Sequence, residues 1–193
     1  MSTRKQVILD EVLEYLLEHG VSGLSLRPLA GALNTSPRML MFHFKSKEGL
    51  LQDVMQEVNR RLQTKLSALA ATAPRRRTAP LKMFWEWATR RDNLVYFRLL
   101  YETQIVAILN PEEYAVTMKQ SALDWRGLAL QSMSEPFREQ PLADVCIAVF
   151  DGLLFDFIVT GERRRLTSAL DRFISIVRQG VGGIDQYKSR KAH

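Results

Sequence analysis

Apolar residues recur along the chain at steps of three and four, and no stretch alternates apolar with polar positions between hairpin turns, so the pattern predicts an all-α protein. Ile8, Val12, Tyr15 and Leu16 share one helical face, and Gly20 suits the left-handed residue that closes such a helix. A short second helix comes next. Ser25 can cap it, Pro28 sits in the first turn where a missing N–H does no harm, and Leu26, Leu29, Ala30 and Leu33 form its stripe. Ser36 is the next cap and Pro37 the favoured first helical residue, which predicts a third helix ending near Phe42 or Phe44. Ser46 then opens a fourth, with Leu50, Leu51, Val54, Val58, Leu62, Leu66 and Leu69 running out of the first domain into the remainder of the chain.

The stretch "TAPRRRTAP", Thr72 to Pro80, reads as a connector, and five further helices are expected beyond it, about nine in all. Leu81, Phe84, Trp85 and Ala88 form one stripe; Leu94, Phe97, Tyr101, Ile105 and Ile108 form the next. Asn110, Pro111 and Glu113 resemble a capping box ahead of Tyr114, Met118, Ala122, Trp125 and Ala129. The helix from roughly Leu142 to Thr160 is apolar almost all round, which predicts cover on more than one side. A last helix carries Leu166, Leu170, Phe173, Ile174 and Val177, with glycines 180, 182 and 183 expected to end it.

Composition changes this picture little: 46% hydrophobic and 25% charged residues suit an ordinary globular chain, and the apolar helix near the end carries Asp151 and Asp156 and is too short to span a bilayer. Acids at Asp10, Glu11, Glu14 and Glu18 interrupt the basic N-terminus, so no signal-peptide core is present and a cytoplasmic location is expected. The single cysteine, Cys146, lies in an apolar run and reads as a buried thiol in a reducing compartment. No metal-ligand spacing, phosphate loop or nucleophile with organised partners is present; neither a metal, a cofactor nor an enzyme activity is expected.

Charge changes it more. The net charge is +6, and between His19 and Lys47 there is no Asp or Glu, although Arg27, Arg38, Lys45 and Lys47 all fall there. Arg38 and Lys47 stand beside Ser36 and Ser46, where two helices begin, and a helix N-terminus disfavours cations unless an anion is near. Two short helices joined by a turn of three or four residues form a helix-turn-helix, whose second helix enters the DNA major groove. The missing anion is then DNA phosphate.

The segment "SLRPLAGALNTSPRMLMFHFKSKEGLL" also resembles the DNA-binding domain of the TetR family of bacterial transcriptional regulators, matching it at Ser25, Arg27, Leu29-Ala30, Ser36, His43-Phe44 and Ser46-Lys47-Glu48. It departs where Met41 replaces the usual Tyr and Asn34 the usual turn Gly; Asn tolerates left-handed backbone, whereas Met41 offers an apolar contact in place of a hydroxyl. The resemblance implies a helix-turn-helix domain over 1–46 and an effector-binding and dimerisation domain over 47–193, linked by the helix from 47 to about 70. It also implies DNA contacts from Ser25, Arg27, Ser36, Arg38, Met41, His43 and Lys47. Arg38 suits a guanine edge and Lys47 a phosphate, while His43 suits either packing or phosphate.

For the second domain the resemblance implies a small-molecule effector of unknown identity and a homodimer through the last two helices, bound to a palindromic operator and released from it as a repressor. The all-round apolar penultimate helix points independently to a twin subunit. Candidate effector contacts are Phe84, Phe97, Tyr101, Gln104, Trp125 and Phe155, with Gln104 the polar residue on an apolar stripe. Asp151 and Asp156 read as residues paired with Arg or facing water, and Arg75 to Arg77 and Arg163 to Arg165 as solvated loop charges. Two other readings remain: a dimeric helix-turn-helix protein with no ligand, and, on the basic tail "YKSRKAH", attraction to an anionic membrane, for which no other feature speaks.

Overall fold

The computed structural model describes residues 3–72, 80–135 and 137–191, and among these the regular structure is helical throughout. In chain order the helices are α1 (Arg4–His19), α2 (Leu26–Ala32), α3 (Pro37–Phe44), α4 (Lys47–Thr72), α5 (Pro80–Ala88), α6 (Arg91–Leu109), α7 (Pro111–Ser132), α8 (Gln140–Thr160) and α9 (Arg163–Lys191). The connector arginines Arg75, Arg76 and Arg77 and the side chains of the basic tail lie outside the described residues.

The chain forms two compact units, Met1–Lys65 with Arg91–Leu123, and Leu66–Arg90 with Asp124–His193. In the first, Val12, Leu13, Leu16, Leu29, Leu40, Leu50, Val54, Val58 and Leu62 are each at most 1% exposed. They lie on α1 to α4 at the spacing of one helical face, and full burial stabilises by about 1.5–3 kcal/mol per side chain. Helix α6 joins this unit through Phe97, Leu99 and Leu100. In the second unit Trp85 anchors α5: its Nε1–H donates to Thr167 Oγ1 at 2.9 Å, and its ring meets Phe150 and Phe157.

Several expectations are corrected. The glycines near the end do not stop α9, which continues to Lys191; Gly180 keeps the ordinary sign of φ, and glycine ends a helix only where it turns left-handed. Ile105 and Ile108 are 50% and 74% exposed, while Thr103 and Ala107 take the core positions of α6. Thr103 can be buried because its hydroxyl donates to the Leu100 carbonyl at 2.7 Å, leaving no polar group unsatisfied. On α7, Ala122 is exposed and its neighbour Ser121 buried. Arg163 to Arg165 lie in the first turn of α9, not in a loop, and Arg165 pairs with Asp156 at 2.9 Å and with Glu162 at 2.5 Å.

Helix α8 buries only part of its apolar surface against the described residues. Ala143 and Leu154 are buried, but Val145, Phe155 and Val159 are 48%, 48% and 67% exposed. Half-buried Cys146 has its thiol pushed up by that burial. No helix among the described residues is long and apolar enough to cross a membrane.

Candidate nucleic-acid interface

The recognition unit is built by caps. Helix α1 closes on Gly20 at φ 75°, whose N–H bonds to the Leu16 carbonyl. Ser25 stands at the N-cap of α2, but its hydroxyl makes no capping bond, so that end relies on extended backbone alone. Asn34 takes φ 50° in the turn between α2 and α3, the left-handed conformation that asparagine tolerates. Ser36 Oγ then accepts the Met39 N–H at 3.2 Å and Pro37 occupies the first helical position of α3. The next turn keeps the expected serine cap but places a lysine, not Gly or Asn, in left-handed backbone. Lys45 adopts φ 67°, ending α3 with its N–H on the Met41 carbonyl, and Ser46 Oγ accepts the Gly49 N–H at 2.9 Å to start α4.

Helix α3 thereby sinks one face and presents the other. Leu40 and Phe44 are 1% and 4% exposed, whereas Arg38, Met39, Met41 and Phe42 face solvent. All seven expected DNA contacts fall in the first compact unit: Ser25, Arg27, Ser36, Arg38 and Met41 are exposed, His43 and Lys47 half-buried. The His43 ring lies edge-on to Phe42 and Phe44, and its Nε2 is buried without a hydrogen-bond partner among the described residues. Arg27, Arg38, Lys45 and Lys47 form no ion pair with any described carboxylate. Four acids of the unit are engaged elsewhere: Asp53 pairs with Lys5, and Asp10, Glu14 and Glu57 with Arg61.

That acidic cluster fixes α1 to α4. Glu57 is 6% exposed and accepts both nitrogens of the Arg60 fork, at 2.8 and 2.7 Å, and Arg61 Nε at 2.8 Å. The Arg60 bonds hold its carboxyl below the usual range against burial, which pulls the other way. Arg61 also reaches Asp10 of α1 at 2.6 Å. Burial disfavours its charge, yet the bonds to Glu57 and Tyr96 outweigh that and raise its pKa. Helix α6 grips the far end of α1: Glu102 accepts the Val21 N–H at 2.8 Å and Arg98 donates to the Leu17 carbonyl at 2.6 Å. Sequence reasoning missed both clamps, since nothing in the spacing ties residues 81 positions apart.

The six candidate effector contacts divide between the units. Phe97, Tyr101 and Gln104 lie in the first, the two aromatics buried and Gln104 half-buried. Phe84, Trp125 and Phe155 lie in the second, the first two half-buried and Phe155 48% exposed. Among the described residues no three His, Cys, Asp or Glu side chains gather where they could hold a metal ion.

Residues 8–54 match the model of the family described as "Bacterial regulatory proteins, tetR family". No curated protein gives a significant match. Among solved structures, a transcriptional regulator from Rhodococcus sp. Rha1 is 20% identical, with 92% of this chain and 97% of that one covered at a TM-score of 0.71. The multidrug binding protein EbrR complexed with ethidium is 19% identical, with 88% and 98% covered at 0.70, and GusR of Salmonella enterica is 18% identical, with 90% and 94% covered at 0.66. These likenesses extend the shared fold over almost the whole chain. Through the family match, residues 8–54 are similar to the tetR family of bacterial regulatory proteins.

Proposed function

We propose that the protein is a sequence-specific DNA-binding transcriptional regulator, a homodimer that represses by occupying a palindromic operator and leaves it when a small-molecule effector binds. The observation that carries the DNA reading is the carboxylate-free set of exposed Arg27, Arg38 and Lys45 and half-buried Lys47 around a Ser-capped helix. In this reading Arg38 donates to a guanine edge, Lys47 and the first-turn N–H groups of α4 hold a phosphate, and Ser25, Arg27 and Ser36 fix the register. Met41 touches a base apolarly, and His43 packs on α3 beside the backbone.

Residues 1–46 read DNA in this account, 47–193 hold the effector and the twin subunit, and α4 links them. The open face of α8 supports the dimer: Val145, Ala148, Gly152, Phe155 and Val159 recur at steps of three and four, and Val145, Gly152, Phe155 and Val159 are exposed. Such a stripe suits packing against its own symmetry mate. The effector reading draws on the fold shared with EbrR, which was crystallised with ethidium, and on Phe84, Phe97, Tyr101, Gln104, Trp125 and Phe155 as its candidate contacts.

Selection of bound duplexes from a random pool tests the DNA reading. A recovered palindrome with half-sites about one helical turn apart is expected, and an unenriched pool contradicts it. A thermal-shift screen of small molecules tests the effector. A compound that raises the melting temperature should also weaken operator binding by about 5- to 150-fold.

A further inference from the structure

The outward face of α3 is not only cationic. Arg38 and Phe42, four positions apart, lie at its centre with Met39 and Met41 on either side. Phe42 is 76% exposed, Met41 41% and Met39 39%, so three of the eight side chains of this helix offer large apolar surface to solvent. Single exposed apolar residues are ordinary, but three on one face of two turns are a patch. Phe42 meets the ring of its neighbour His43 edge-on and is otherwise largely open to solvent.

The occupant of this face must satisfy both characters. The flanking cations Arg27, Arg38, Lys45 and Lys47 lack carboxylate partners among the described residues, which calls for a polyanion. Between them the occupant must offer apolar groups to a helix-wide contact. The DNA major groove does so, because thymine carries a C5-methyl group there, between phosphate walls that admit one α-helix. Phe42 has no hydroxyl or amide, so its side chain can form no hydrogen bond to phosphate or base edge, and apolar contact is its one means of recognition.

We propose that Phe42, with Met41 beside it, is a specificity-determining residue that selects thymine by its C5-methyl group. Arg38 and Phe42 are about 6 Å apart along the helix axis, so the selected T·A pair lies within roughly two base-pair steps of the base that Arg38 reads. This inference rests on the DNA-binding reading and deepens it.

The test uses the full chain and the duplex recovered by selection. Each thymine is replaced in turn by deoxyuridine, which lacks only the methyl group, and affinity is read by fluorescence anisotropy. One position per half-site should weaken binding by about fourfold, and about fifteenfold when both half-sites are changed. Phe42→Ala should bind the thymine and uracil duplexes with nearly equal affinity, while Phe42→Leu, still apolar, keeps part of the difference. Lys47→Ala should weaken both duplexes and leave their ratio alone. Since Phe42 is largely exposed, its variants should melt with the parent chain.

Equal affinity of the parent chain for every uracil duplex overturns the proposal while leaving DNA binding intact. A thymine preference that survives both Phe42→Ala and Met41→Ala also overturns it. A pool with no enriched duplex, or capture by phosphatidylserine vesicles in its place, overturns the DNA reading itself and the proposal with it.

Discussion

Glu102 and Val21 are joined across 81 positions: the Glu102 carboxylate accepts the Val21 N–H at 2.8 Å, immediately past the end of α1. The contact needs Gly20. A Cβ at that position would sit 2.6 Å from Glu102 Oε2, and its φ of 75° with ψ near 180° is backbone that only glycine adopts readily. Gly20→Ala should therefore destabilise the chain by about 1–3 kcal/mol, and Glu102→Ala, which strands the Val21 N–H, by a similar amount. Urea denaturation followed by circular dichroism checks both. A Gly20→Ala chain as stable as the parent would remove the close approach from this account.

Glu57 makes stability depend on pH. Its folded-state pKa lies below the unfolded value because Arg60 and Arg61 bond to the carboxylate. The folded state therefore binds that proton less readily, and the Glu57 contribution is full above the ordinary carboxylate range and is lost as pH falls through the folded pKa. Glu57→Gln should lower stability at pH 7 by about 1–2 kcal/mol, discounted because Arg60 is largely exposed, and should flatten the acid limb between about pH 5 and 3. Unfolding free energies measured along that range give the slope.

Arg38 and Lys47 should fail differently when truncated. Arg38→Ala is expected to relax preference at one position per half-site by about 1–3 kcal/mol. Lys47→Ala should weaken all duplexes alike and shallow the salt dependence by about one ion per protomer. Competition assays across single-base operator variants at two salt concentrations separate the two outcomes.

In the proposed dimer the α8 stripe is the seam between the two copies. Phe155→Glu puts a charge in the middle of the exposed seam and should turn a dimer into a monomer without lowering helical content. Palindrome affinity should then fall toward that of a single half-site. Analytical ultracentrifugation of parent and variant reads the change directly.

The helix starts are legible in the sequence because their causes are local. Ser36 with Pro37 begins α3, Ser46 precedes α4, and Gly20 and Asn34 take the positive-φ backbone their side chains allow. The exposed cations of the interface are legible for a related reason, since a stretch without carboxylates cannot neutralise itself. Long-range partners are not. Periodicity places Ile105 and Ile108 in the core, yet Thr103 takes an inner position by bonding back to Leu100, a compensation that no hydropathy pattern records. Phe42 does not stand out in the sequence because an aromatic residue beside His43 and Phe44 reads as core until the helix's orientation is known.

If the cationic face around α3 docks on phosphate, binding to the selected duplex must weaken steeply as salt rises. With Arg38 on a base, the other three cations per chain could neutralise about six phosphates in a symmetric dimer, so log K against log salt should fall with a slope between about −3 and −5. Replacing Arg27, Arg38, Lys45 and Lys47 together by Ala should flatten most of that slope. A parent chain whose binding is independent of salt, or absent at low salt, would contradict the account.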